Sequence, residues 1–92
     1  MASAATTVKT MSEHMVAAVV AVVKEHMAAQ EMSTYKLIQK SKLPKASVHR
    51  WLDGRSAVGL NDLAKIADAL DTTVVALIGE AEPRARRLDR KK

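Results

Sequence analysis

Apolar residues in this chain recur at helical spacing, and no segment alternates with period two between hairpin turns; that property decides the fold class. Met15, Val19, Val23 and Met27 stand four apart with Val16 and Val20 beside them, which gives a helix one apolar stripe. Ala18 and Val22 widen that stripe beyond a single core face, either as further core or as a partner surface. The same spacing returns in Leu37 and Ile38, in Val48, Trp51 and Leu52, in Leu60, Leu63, Ala64, Ile66, Ala67 and Leu70, and in Val74, Val75, Leu77 and Ile78. The last of these is β-branched enough for a strand, but a capped fourth helix leads straight into it, so it is read as a fifth helix with its four apolar residues turned inward. The expected fold is all-α, a compact bundle of five short helices.

Stop and start signals fall between the runs. Thr10 followed by Glu13 fits a capping box, placing the first helical residue near Met11. Ser33 or Thr34 caps a second helix ending near Ser41 or Lys42, and Pro44 suits a first helical position because its missing N–H needs no partner there. The third helix runs from about Lys45 to Asp53 and stops at Gly54. Thr72 or Thr73 caps the fifth, which Gly79 closes. Residues 1–10 read as a flexible N-terminal arm and 11–80 as the folded domain. Residues 81–92, charged, interrupted by Pro83 and without apolar periodicity, read as a basic flexible tail.

Ninety-two residues support one core and little room for a deep substrate cavity. With no cysteine the chain has no disulfide and no thiolate metal site. The longest apolar run, Met15 to Val23, is nine residues, well below the roughly 20 that span a bilayer. Nothing resembles a signal peptide. His14 and His26 lie twelve apart with no ligand pattern around them, and Ser47, His49 and Asp53 share one short helix with the wrong mutual directions for a nucleophilic triad. The expectation is a non-enzymatic protein of the cytoplasm with no cofactor, metal, membrane or small-molecule substrate.

Charge is segregated along the chain. Residues 1–32 carry two cations against three carboxylates, and 59–81 one against four. Residues 33–58 carry six cations against Asp53 alone, and 82–92 six against two. A basic block between acidic flanks is either a solvated surface or the footprint of a polyanion, and nucleic acid is the usual one.

Two helices of about eight and nine residues, joined by a three-residue turn inside that basic block, describe a helix-turn-helix. The segment STYKLIQKSKLPKASVHRWLDG followed by LNDLAKIADALDTTVVALIG resembles the lambda-repressor-like class, the XRE family of phage repressors and Cro proteins. The resemblance spans about residues 12 to 79 and is carried most specifically by Leu37, Val48, Trp51 and Gly54 with LAKIADAL. It differs from the family's pattern at Ile38, where a small residue is usual, and at Lys42, where glycine is usual and where a left-handed conformation costs lysine about 1 kcal/mol.

The resemblance implies a third helix that enters the major groove N-terminus first, with Lys45, Ala46, Ser47, His49 and Arg50 as base-reading candidates. Arg50 is foremost, because a guanidinium donates twice to guanine. Ser33, Thr34 and Tyr35 at the start of the second helix, Lys40 and Lys42 near its end, and Arg55 and Ser56 past the third helix are candidates for the phosphate backbone. Arg84, Arg86, Arg87, Arg90, Lys91 and Lys92 of the tail would add phosphate contacts. Trp51, at an apolar position, is core, while His49 and Tyr35 are either contacts or plain surface.

The leading expectation is therefore a sequence-specific transcriptional repressor of phage or prophage type, bound to double-stranded operator DNA in a bacterial cytoplasm, as a homodimer or as a monomer. The alternatives are an antitoxin that binds both DNA and a toxin, and an excision-directing or architectural DNA binder.

Overall fold

A computed structural model describes residues 10–90, without the side chain of Arg90; the expectations placed on residues 1–9, Lys91 and Lys92 lie outside the described residues. Five helices follow one another with no strand among the described residues: α1 (Met11–Ala29), α2 (Thr34–Ser41), α3 (Lys45–Leu52), α4 (Leu60–Ala69) and α5 (Val74–Arg90).

The helix ends follow from side-chain and backbone chemistry. Thr10 and Glu13 form a complete capping box at α1, Ser33 Oγ accepts from the Lys36 amide, and Thr73 Oγ1 accepts from the Ala76 amide. Pro44 is the N-cap of α3, one position before its first helical residue, and Asp53 is its C-cap. Three C-termini close with paired bonds from the two residues past the cap. At α3 these are Gly54 N–H to the Trp51 carbonyl and Arg55 N–H to the Arg50 carbonyl. Glu31 and Asp71 play the glycine's part at α1 and α4, with φ of 53° and 58°. Lys42, at φ 60°, caps α2 in the left-handed conformation anticipated for it.

α1 is the beam on which the bundle is built. Val22, Leu37, Val48 and Leu77 are fully buried and Trp51 nearly so, and Ile38 and Leu52 pack against this cluster half-buried. Val23, Leu37, Val48, Trp51 and Ile66 line a space of about 10 Å3, at the lower limit of what one water needs. Gln30 Nε2 donates to the Leu70 carbonyl at 2.7 Å, tying the end of α1 to the end of α4.

The largest helix–helix interface is α1 against α5, and here the sequence reading needs correction. α5 does not close at Gly79: it continues through Pro83 to Arg90, so residues 81–90 are a docked helix and not a flexible tail. Leu77, Ala81 and Ala85 are spaced four apart and fully buried, and they meet the side of α1 that carries Ala18 and Val22. The widened stripe of α1 is core, covered by this extension. His26 to Glu80, Glu25 to Arg84 and His14 to Asp89 bridge the pair along its length. Pro83 is tolerated because it lies on the exposed side of the helix. One further residue departs from expectation: Val75 points outward, 82% exposed; Leu60, at the start of α4, is also 72% exposed.

Trp51→Ala is expected to lower the unfolding free energy by about 3–5 kcal/mol in urea titration. Lys42→Gly is expected to raise it by about 1 kcal/mol by relieving the left-handed backbone; an unchanged midpoint would remove the strain assigned to that turn.

Candidate nucleic-acid interface

The third helix is only eight residues long, and its orientation is set by two of them. Val48 and Trp51 are buried in the core, and Leu52 is half-buried. At 100° per residue this leaves Lys45, Ala46, His49 and Arg50 on the opposite face, and all four are exposed. Ser47 lies at the margin, half-buried. It accepts a 3.4 Å hydrogen bond from Arg50 Nη2, which leans that guanidinium back along the helix toward its N-terminus. Of the five base-reading candidates, four thus share one outward surface and the fifth orients a neighbour.

α2 presents its N-terminus beside this surface through the short turn. Ser33 and Tyr35 are exposed and Thr34 half-buried. The first-turn amides of a helix have no intrahelical partner, and the Ser33 hydroxyl caps the one on Lys36. Those of Thr34 and Tyr35 remain able to donate to an anion. The Tyr35 hydroxyl accepts from Gln39 Nε2 at 3.0 Å, which holds the exposed ring against its own helix. Lys40 and Lys42 are both exposed. Past α3, Arg55 is exposed and donates to Asp53 at 3.1 Å, and Ser56 is half-buried.

Electrostatics reinforce the geometry. Not one carboxylate occurs from Met32 to Leu52, and among the described residues Lys36, Lys40, Lys42, Lys45 and Arg50 have no ion-pair partner. Two cations escaped the sequence reading. Lys36 lies in the basic block and is exposed, in the first turn of α2, a position to which the family's pattern assigns no contact. Lys24 belongs to α1, so counting charge by segment grouped it with the acidic first part of the chain. It lines a groove of about 520 Å3 together with Arg55 and Ser56.

The tail is placed differently from expectation. Arg84 is half-buried and pairs with Glu25 of α1, whereas Arg86 is exposed and pairs with Glu82 one turn earlier on α5 at 2.8 Å. Arg87 is exposed; the Arg90 side chain, Lys91 and Lys92 lie outside the described residues. No group of His, Asp or Glu arranged to hold a metal occurs among the described residues.

Known proteins place this geometry in a family. Neither a curated protein nor a solved structure matches the chain. Residues 23–79 match the model of the Cro/C1-type helix-turn-helix DNA-binding domain, a stretch that holds the end of α1, the whole of α2, α3 and α4, and the start of α5. The chain belongs to the Cro/C1-type helix-turn-helix DNA-binding family, whose members are DNA-binding transcription regulators.

Proposed function

We propose that the chain is a sequence-specific repressor of phage or prophage type that reads operator DNA with the outward face of α3. One observation carries this reading. Lys45, Ala46, His49 and Arg50 form a continuous exposed face on a helix whose opposite side is locked by Val48 and Trp51, within a stretch free of carboxylates. A rigid basic helix of that kind fits the major groove of double-stranded DNA.

The roles divide by chemistry. Arg50 donates twice to a guanine edge, Lys45 donates to a base or a phosphate, Ala46 meets a thymine methyl, and His49 reads an adjacent edge. The free amides at Thr34 and Tyr35, with the Ser33 hydroxyl, grip one phosphate stretch, and Lys40, Lys42, Arg55 and Ser56 grip others, setting register without reading sequence. Lys36 and Lys24 join this second group. Arg84 and Arg86 leave it, because their guanidinia already face Glu25 and Glu82, and Arg87 is the described tail residue still open to a phosphate. The antitoxin alternative needs a segment that folds on its partner; residues 80–90 are helical against α1 already, so no observation favours it. No described helix is long and apolar enough to cross a membrane, which accords with action on DNA in a bacterial cytoplasm.

Selection of bound fragments from randomised duplexes, followed by anisotropy titration, tests the reading. Arg50→Ala should cut discrimination at one base pair by about 1–3 kcal/mol while leaving the other positions unchanged. Lys40→Ala should weaken all duplexes about equally and reduce the salt slope by about 1. If Arg50→Ala leaves the ranking of duplexes as it was, α3 does not read the site.

A further inference from the structure

Asp53 is the one carboxylate between residues 33 and 58, against six cations. It stands just past α3, as the C-cap, with its side chain exposed. Nothing in the fold calls for a negative charge at that position. A helix C-terminus is the negative end of the macrodipole, so a carboxylate beside it is unfavourable. The end of α3 is closed by the backbone amides of Asp53, Gly54 and Arg55 and needs no side chain. Asp53 also lines the groove that holds Lys24, Arg55 and Ser56, where a carboxylate repels the polyanion that the two cations attract. Glu13, the other carboxylate on that groove, has its place in the capping box of α1.

What Asp53 does hold is Arg55. Its Oδ2 accepts from Arg55 Nη2 at 3.1 Å, and both side chains are more than half exposed. An exposed pair of this kind stabilises a fold little. Of the six cations in the basic block, Arg55 alone has an ion-pair partner among the described residues. The Arg55 backbone is fixed as well, because its N–H donates to the Arg50 carbonyl at 2.9 Å. Main chain and guanidinium are therefore both held at the end of the helix that faces outward.

We propose that Asp53 is a specificity-determining residue that acts through Arg55. The proposal rests on the reading of α3 as a DNA reader and adds to it a device against binding at random sequence. Attraction to an arbitrary duplex is a sum of mobile cation–phosphate contacts, in which every free cation counts. A cation held by a carboxylate counts for little, so the pair takes one charge out of that sum. On a duplex docked in register by α3, a guanidinium with five N–H donors keeps its bond to Asp53 and still donates to a phosphate. Its direction is already set, so less side-chain freedom is lost on binding. The carboxylate thus weakens the wrong complex more than the right one, which is specificity obtained from a repulsive element.

Anisotropy titrations of the full chain over a range of salt, against a selected duplex and an unselected one of equal length, test the proposal. Asp53→Asn should raise affinity for the unselected duplex about fivefold and steepen its salt slope by about 1, while the selected duplex gains under about twofold, so that the ratio between the two falls about threefold. Asp53→Ser should do the same, and Asp53→Glu, which keeps the carboxylate, should preserve the wild-type ratio. In an Arg55→Gln background the effect of Asp53→Asn on the ratio should vanish. An effect that persists there would make Asp53 a charge acting directly on the duplex and overturn the coupling to Arg55. Circular dichroism melts should show both neutral variants as stable as the wild type; a ratio that falls only together with helix content would assign Asp53 to the fold instead. Equal gains on both duplexes overturn the proposal and leave the reading of α3 standing, whereas a wild type that selects no duplex overturns both.

Discussion

The direction in which α3 faces depends on the burial of two side chains. A helix of eight residues is too short to be stable in water by itself, so its existence and its rotation both come from what it packs on. Val48 and Trp51, three apart, are the pair that is fully or nearly fully removed from water, and they rest on α1 and α2 through Val19, Val23 and Leu37. Rotating α3 by one residue would carry Trp51 outward and Arg50 into the apolar core, exposing an aromatic ring and burying a charge. The core therefore decides which four side chains the solvent, or a duplex, meets.

α1 makes that arrangement rigid by being packed on more than one side. Its Val19 and Val23 side holds α3, and its Ala18 and Val22 side receives Leu77, Ala81 and Ala85 of α5. Alanine on both helices lets the two axes approach closely, and the three cross-helix contacts at His26, Glu25 and His14 are spaced along the same pair. Contacts of this kind at a surface contribute little each; the energy of the interface comes from apolar burial, and the contacts fix its register.

How much of this was legible in the sequence depended on how local each signal was. The five helices, the capping box at Thr10 and the burial of Trp51 follow from residues a few positions apart, the left-handed Lys42 follows from the family's pattern at that turn, and the structure reproduces them. The outward residues of α3 came from the family's pattern, and the burial of Val48 and Trp51 gives them their physical reason, since those two fix the phase for everything between Lys45 and Arg50. The extension of α5 was not legible. Its stripe is alanine at 81 and 85, which barely registers as apolar periodicity, and local rules read Gly79 and Pro83 as a stop. What overrides them is a partner surface on α1 more than fifty residues away, invisible to any window on the sequence. Val75 fails for the opposite reason: spacing identifies an apolar residue but not whether anything covers it.

The docked extension also changes the electrostatic reading. Taken as a string, residues 82–92 are the second basic block of the chain. Folded, they bring Arg84 to Glu25 and Arg86 to Glu82, while Asp89 comes to within 4.0 Å of His14, so cations of the tail are balanced by carboxylates at short range and contribute little field at a distance. Among the described residues the cations of α2 and α3 have no such partners. The net positive charge seen by an approaching polyanion is therefore more directional than the sequence total of +5 suggests, because pairing engages Arg84 and Arg86 of one basic segment and, of the described ion pairs in the other, Arg55 alone. A field of that shape orients an approaching polyanion before any contact forms, and the helix that buries Ala81 and Ala85 contributes to it by bringing Arg84 against Glu25.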